Sequence, residues 1–120
     1  MNPEAEPQSD SASVAVNRRR YRRYRLSTPI FVHTSDGVTI PAMTLEISEH
    51  GLSAVLASSL QVGGIAQLEP VAENTLTAQV RYSVGRVHGF EFMEVSDEQI
   101  QKLREKCRQL PLYPPNKMGI

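Results

Sequence analysis

Residues 76–95 read LTAQVRYSVGRVHGFEFMEV, and this stretch decides the fold class. Leu76, Ala78, Val80 and Tyr82 alternate with polar neighbours, the period of a strand with one buried face. Val84-Gly85-Arg86 supplies a turn, and Phe90 and Phe92 then share one face of the run that follows. Two alternating runs joined by a short glycine turn make an antiparallel hairpin.

The same signals recur upstream. PIFVHT (29–34) is a strand, and Asp36-Gly37 supplies a tight hairpin turn. TIPAMTLEIS (39–48) follows, offering Ile40, Ala42, Leu45 and Ile47 to a core. Its alternation slips between Met43 and Leu45, which predicts a β-bulge there. GLSAVLA (51–57) is a further strand, VGG (62–64) turns into IAQLEP, and AENT (72–75) turns into the opening hairpin. Five or six short strands about ten residues apart suggest an antiparallel barrel or sandwich.

Downstream the period changes. In SDEQIQKLREKCRQL (96–110), Ile100, Leu103, Cys107 and Leu110 fall on one helical stripe. Ser96 and Gln99 have capping-box spacing, and Asp97 and Glu98 suit the positive end of a helix. Such a helix after a small all-β unit seals one end or face of it.

With 120 residues, one domain is expected, and a chain of this size buries roughly two-thirds of its extended surface without staples. The single cysteine, Cys107, excludes an intrachain disulfide and fits a reducing compartment, and its place on the helical stripe reads as core. No apolar run reaches the ~20 residues of a membrane span, and the N-terminus lacks the basic and hydrophobic regions of a secretion signal. These features predict a cytoplasmic protein with no stable membrane insertion. Residues 1–16, polar and rich in Pro and Ser, read as a disordered tail, and PLYPPNKMGI (111–120) as a mobile or loosely docked one.

Charge is unevenly spread. Thirteen Lys plus Arg balance thirteen Asp plus Glu, yet NRRRYRRYRL (17–26) contains six arginines. A neutral chain argues against general nucleic-acid binding, where whole domains are usually basic. A solvated basic arm is the plain alternative. Arginine's rigid donor fork can instead grip phosphate, pair with guanine O6 and N7, or stack on a flat base. EISEHG (46–51) offers an acceptor, a hydroxyl and a glycine at a strand end. An ordinary turn at this place would hold Gly51 at positive φ. Ser48 lacks the strand–elbow–helix setting of a hydrolase serine. His33, His50, His88 and Cys107 lack metal-ligand spacing, and neither paired carboxylates nor a phosphate-cradling loop points to an enzyme.

RRRYRR followed by EISEHG resembles the PilZ domain, the bacterial receptor module for cyclic di-GMP, whose pattern is RxxxR and then [D/N]xSxxG. The resemblance covers residues 17 to about 110, because VHGFEF and the capped helix also match how these domains close. It implies a six-stranded antiparallel β-barrel with a C-terminal α-helix. It also implies a ligand, cyclic di-GMP, often a stacked pair, clamped between the arginine segment and the barrel.

Both Arg18/Arg22 and Arg19/Arg23 fit the first motif; Pro29, six residues after Arg23, favours the second register. Arg18, Arg19, Arg23, Glu46, Ser48 and Gly51 are the implied ligand-binding residues. Glu46 departs from the pattern by one methylene. The implied role is a non-enzymatic receptor, monomer or homodimer, that changes shape on binding and signals to an effector protein. Two other readings stand beside it: a PilZ-like protein–protein adaptor that binds no nucleotide, and a small barrel binding RNA or DNA through its basic arm.

Overall fold

The computed structural model describes residues 22–113. Its elements are β1 (Tyr24–Arg25), β2 (Pro29–Thr34), β3 (Thr39–Ile47), β4 (Gly51–Val55), β5 (Ile65–Val71), β6 (Asn74–Val84), β7 (Val87–Met93) and the helix α1 (Asp97–Arg108). β2 to β7 form a closed antiparallel ring in the order β3-β2-β5-β6-β7-β4, with β4 pairing back onto β3. The extra strand β1 lies on the side of β3 that β2 occupies further along, with Arg25 opposite Glu46. No described helix is long and apolar enough to cross a membrane.

Period-two patterning fills the barrel. Ile30, Val32, Leu68, Leu76, Val80 and Phe90 point inward and are essentially buried. The aliphatic helix stripe joins this cluster through Leu103 and Cys107, so α1 covers the core where the ring leaves it open. Both halves of the capping box form: Ser96 Oγ accepts from Gln99 N at 3.1 Å, and Gln99 Oε1 accepts from Ser96 N at 3.0 Å. Residues 111–113, within the segment expected as a tail, run beside β1: Arg25 N donates to Pro111 O and Tyr113 N to Arg23 O, both at 2.8 Å. The N-terminal segment 1–16 lies outside the described residues.

Two positions depart from the expected pattern, and both are bulges. On β3 the register shifts between Thr44 and Glu46, so Leu45 is the extra residue. Thr44, not Leu45, is the fully buried side chain, and Leu45 is only half-buried. On β6 the register shifts between Val80 and Tyr82, leaving Arg81 as the extra residue. Tyr82 therefore faces outward and is 42% exposed, where strict alternation had put it inside. An extra residue inverts the facing of everything after it. The two bulges thus bring Glu46 and Tyr82 out of the barrel onto one outer face.

Candidate functional site

That face is a pocket of about 610 Å³, lined by Arg23, Glu46, Ser48, Gly51, Ser53, Arg81 and Tyr82 among others. Glu46 ties two of these lining residues, Arg23 and Ser53, together. Its Oε2 accepts from Arg23 Nη1 at 3.4 Å and from Ser53 Oγ at 3.3 Å. Its Oε1 faces Arg23 Nε at 3.4 Å but is buried and receives no hydrogen bond from the described residues. The side chain is only 13% exposed. The Arg23 ion pair offsets part of the cost of burying this oxygen, and a donor placed against it would supply the hydrogen bond it lacks.

The strand end next to Glu46 is built by its own small residues. Ser48 Oγ accepts from His50 N at 3.1 Å, and Ser48 N donates to Gly51 O at 2.8 Å, which closes a compact turn. Gly51 does not take the positive φ expected of an ordinary turn glycine. It is glycine for another reason: a Cβ there would lie 2.1 Å from the Phe90 carbonyl oxygen, so β4 could not approach β7. Gly89 plays a similar part on β7, where a Cβ would meet the Tyr82 ring at 2.1 Å. The ring therefore lies flat across bare backbone and forms one wall of the pocket. Burial raises the Tyr82 hydroxyl pKa above its ordinary value and the Glu46 charge adds to this; a hydrogen bond with Ser53 and the Arg23 charge pull the other way. Arg81, on the bulge itself, pairs with Glu91 at 3.1 Å along the same pocket.

Adjacent arginines go to different places. Arg23 reaches the Glu46 pocket, whereas Arg22 lines a separate groove with Tyr24, Glu49, His50 and Arg104. Of the two expected registers, the one containing Arg23 has its described arginine at Glu46. Arg18 and Arg19 lie outside the described residues. Arg23, Glu46, Ser48 and Gly51 are thus brought together from segments far apart in sequence. Sequence reasoning missed Ser53, Arg81, Tyr82 and Gly89. The bulge on β3 announced itself by a slip in alternation; the one on β6 left no such mark, because LTAQVRYS alternates through it.

The other polar residues weighed from the sequence have structural partners. His88 is fully buried, with Nε2 accepting from Leu60 N and Nδ1 placed 3.1 Å from Arg86 O. His33 bridges Thr39 and Glu69 on the barrel surface. Among the described residues no three His, Cys, Asp or Glu are grouped to hold a metal. Cys107 is buried, and its thiol pKa is pushed up to about 11 by burial, with a further contribution from Glu49.

The comparisons with known proteins agree with this architecture. The PilZ domain family model matches residues 17–109. Among solved structures, the PilZ domain with c-di-GMP of YcgR from Escherichia coli superimposes with a TM-score of 0.61 at 21% identity, covering 78% of this chain and 91% of that one. YcgR in complex with c-di-GMP from Escherichia coli matches at 25% identity and TM-score 0.61, over 74% of this chain and 44% of that one. The Bacillus subtilis inhibitor of motility, MotI/DgrA, matches at 25% identity and TM-score 0.60, over 77% of this chain and 50% of that one. The chain thus spans half or less of these two longer proteins. A search of curated proteins found no match. With the family model covering the arginine segment, the barrel and the capped helix, the chain belongs to the PilZ domain family.

Proposed function

We propose that this domain is a receptor for cyclic di-GMP that binds the nucleotide in the Glu46 pocket and signals to an effector protein. One observation carries the reading: a buried Glu46 oxygen that is ion-paired with Arg23 at 3.4 Å but accepts no hydrogen bond from the described residues, in a pocket also lined by Arg23, Ser48 and Gly51. A guanine edge presents N–H donors, which suit an orphaned carboxylate oxygen. Arg23 supplies a cation and fork for a phosphate or for guanine O6 and N7. The flat Tyr82 ring offers a stacking wall to a base. In this reading Arg18 and Arg19 close over the ligand from the segment preceding Arg22. The role is binding and signalling rather than catalysis, in the cytoplasm, where this second messenger is read.

The adaptor reading keeps one specific observation in its favour. Glu46 is longer than the family's Asp or Asn, and Arg23 and Ser53 already hold its other oxygen. A calorimetric titration with cyclic di-GMP separates the two. The receptor reading expects saturable binding that Arg23→Ala weakens by about 1–3 kcal/mol, the worth of a good bidentate arginine contact. Failure of the wild-type chain to bind would leave the adaptor reading. Steeply salt-dependent binding to any nucleic acid, with no preference for the dinucleotide, would instead point to the basic-arm reading.

A further inference from the structure

The segment after α1 is tied to the arginine segment by three contacts. Arg25 N donates to Pro111 O and Tyr113 N donates to Arg23 O, which together set Leu112 opposite Tyr24 in a bridge, and the Arg23 guanidinium sits 5.9 Å from the centre of the Tyr113 ring. Residues 111–113 lie beyond the part of the chain that the family model matches, 17–109.

Physically, β1 needs them. A strand of two residues paired on one edge is marginal. With β3 on one side and residues 111–113 on the other, its backbone groups are paired on both edges. The backbone of Arg23 is then fixed from the C-terminal side by Tyr113 N–H, and its guanidinium is held between the Tyr113 ring and Glu46.

We infer that residues 111–113 are a strap that holds Arg23 over the Glu46 pocket, with Tyr113 as the positioning residue. This rests on the receptor reading for what Arg23 grips, but not for the strap itself. Preorganising Arg23 removes an ordering cost that the ligand would otherwise bear, so the strap tightens nucleotide binding through Arg23 without touching the ligand itself.

Two truncations isolate the strap from the residues that follow it: a chain ending at Tyr113 and a chain ending at Leu110. The first should bind cyclic di-GMP like the full chain, and the second about ten-fold more weakly. In the ligand-free proteins, the Arg25 amide should exchange faster in the shorter one, because its acceptor, Pro111 O, is gone. Tyr113→Ala should weaken binding about five-fold, in the range of an exposed-to-partly-desolvated cation–π contact, and Tyr113→Phe should restore it because the ring remains. In an Arg23→Ala background Tyr113→Ala should have no further effect, which a purely structural tyrosine would not predict. Equal binding by both truncations together with unchanged exchange at Arg25 overturns the strap. If the full chain fails to bind the dinucleotide, the receptor reading falls, and the exchange comparison alone decides: lost protection at Arg25 upholds the strap, and unchanged protection removes it.

Discussion

Thr44 and Glu46 stand two residues apart on β3, on either side of the bulge at Leu45, and they meet opposite fates. Thr44 is fully buried inside the barrel, and its hydroxyl is completely used: it accepts from Thr28 N at 2.9 Å, and Leu26 O and Thr28 O lie within 3.1 Å of it as acceptors. Glu46 is nearly as hidden but faces outward, and one of its oxygens, ion-paired with Arg23 at 3.4 Å, accepts no hydrogen bond from the described residues. A polar side chain whose bonds are all made by its own chain holds architecture together. One left short beside a pocket has capacity for a further hydrogen bond, the capacity on which the receptor reading rests. The bulge separates the two roles, because without it Glu46 would follow Thr44 into the barrel, where an unpaired charge is costly.

The largest effect should come from the glycine that lets β4 close on β7. Gly51→Ala places a Cβ 2.1 Å from the Phe90 carbonyl oxygen, a backbone atom that cannot step aside. We expect a loss of about 3 kcal/mol, the upper end for overpacking, read by urea denaturation. Gly89→Ala meets the Tyr82 ring first, a side chain that can swing away. It should leave stability nearly intact while displacing the stacking wall, so cyclic di-GMP binding falls without a matching fall in melting temperature. Similar losses of stability from both glycines would break the distinction between a backbone clash and a movable side chain.

Next in size is the interior side of the comparison. Thr44→Val keeps the shape but strands Thr28 N–H without its acceptor, which costs about 1–3 kcal/mol. Nucleotide affinity should not change, since Thr44 is on the far side of the barrel wall. A loss of affinity with stability preserved would show that the interior and the pocket are coupled across β3.

A smaller, pH-dependent effect belongs to the helix. Cys107 ionises near 9.0 when free of the fold and at about 11 within it. The folded chain therefore holds its thiol proton over a window where the unfolded chain has lost it. The cysteine's contribution to stability is complete below 9.0 and is lost as pH rises through about 11. Cys107→Ala should flatten this alkaline decline in a denaturation series, and alkylation of the native thiol should be slow below the window. A rapidly alkylated native thiol would mean that α1 does not stay closed on the core.

Much of this molecule is legible in its sequence because the physics there is local and periodic. PIFVHT marks β2 to the residue, and Ser96 with Gln99 marks the start of α1, because strand alternation and a capping box act within a few residues. Arg23, Glu46, Ser48 and Gly51 were also within reach through a motif resemblance. Tyr82 was not: a one-residue bulge is a choice made between two paired strands, and its own strand alternates smoothly through it. The motif marked Gly51, but the reason it must be glycine was not legible, since that is set by a carbonyl on β7 rather than by its own φ. Tyr113 was hidden most deeply. Its partner is some ninety positions earlier in the chain, and its proline-rich surroundings carry no period at all.

The smallest expected effect is the sharpest test of the comparison, and it concerns the length of one side chain. Glu46 reaches Arg23 and Ser53 at 3.3–3.4 Å, contacts that are all long for charge-assisted hydrogen bonds. Aspartate at the same place would draw the carboxylate back by one methylene, away from Arg23 and toward the strand. That frees both the arginine for phosphate and the carboxylate for guanine donors. Glu46→Asp should therefore bind cyclic di-GMP at least as tightly as wild type, with a gain of no more than about ten-fold. Glu46→Ala should lose binding, because the guanine donors would have no acceptor. The melting temperatures of both should stay near wild type, since a rim side chain with an unmet oxygen adds little to the fold. Titrating the three proteins in one buffer gives three distinct outcomes. The expected order is Asp at or above Glu, with Ala far below. No binding in wild type but binding in Glu46→Asp would make the natural chain an adaptor whose nucleotide site is closed by a single methylene. Equal affinity in all three would show that the orphaned oxygen never meets the ligand, and the contrast between Thr44 and Glu46 would then be one of position alone.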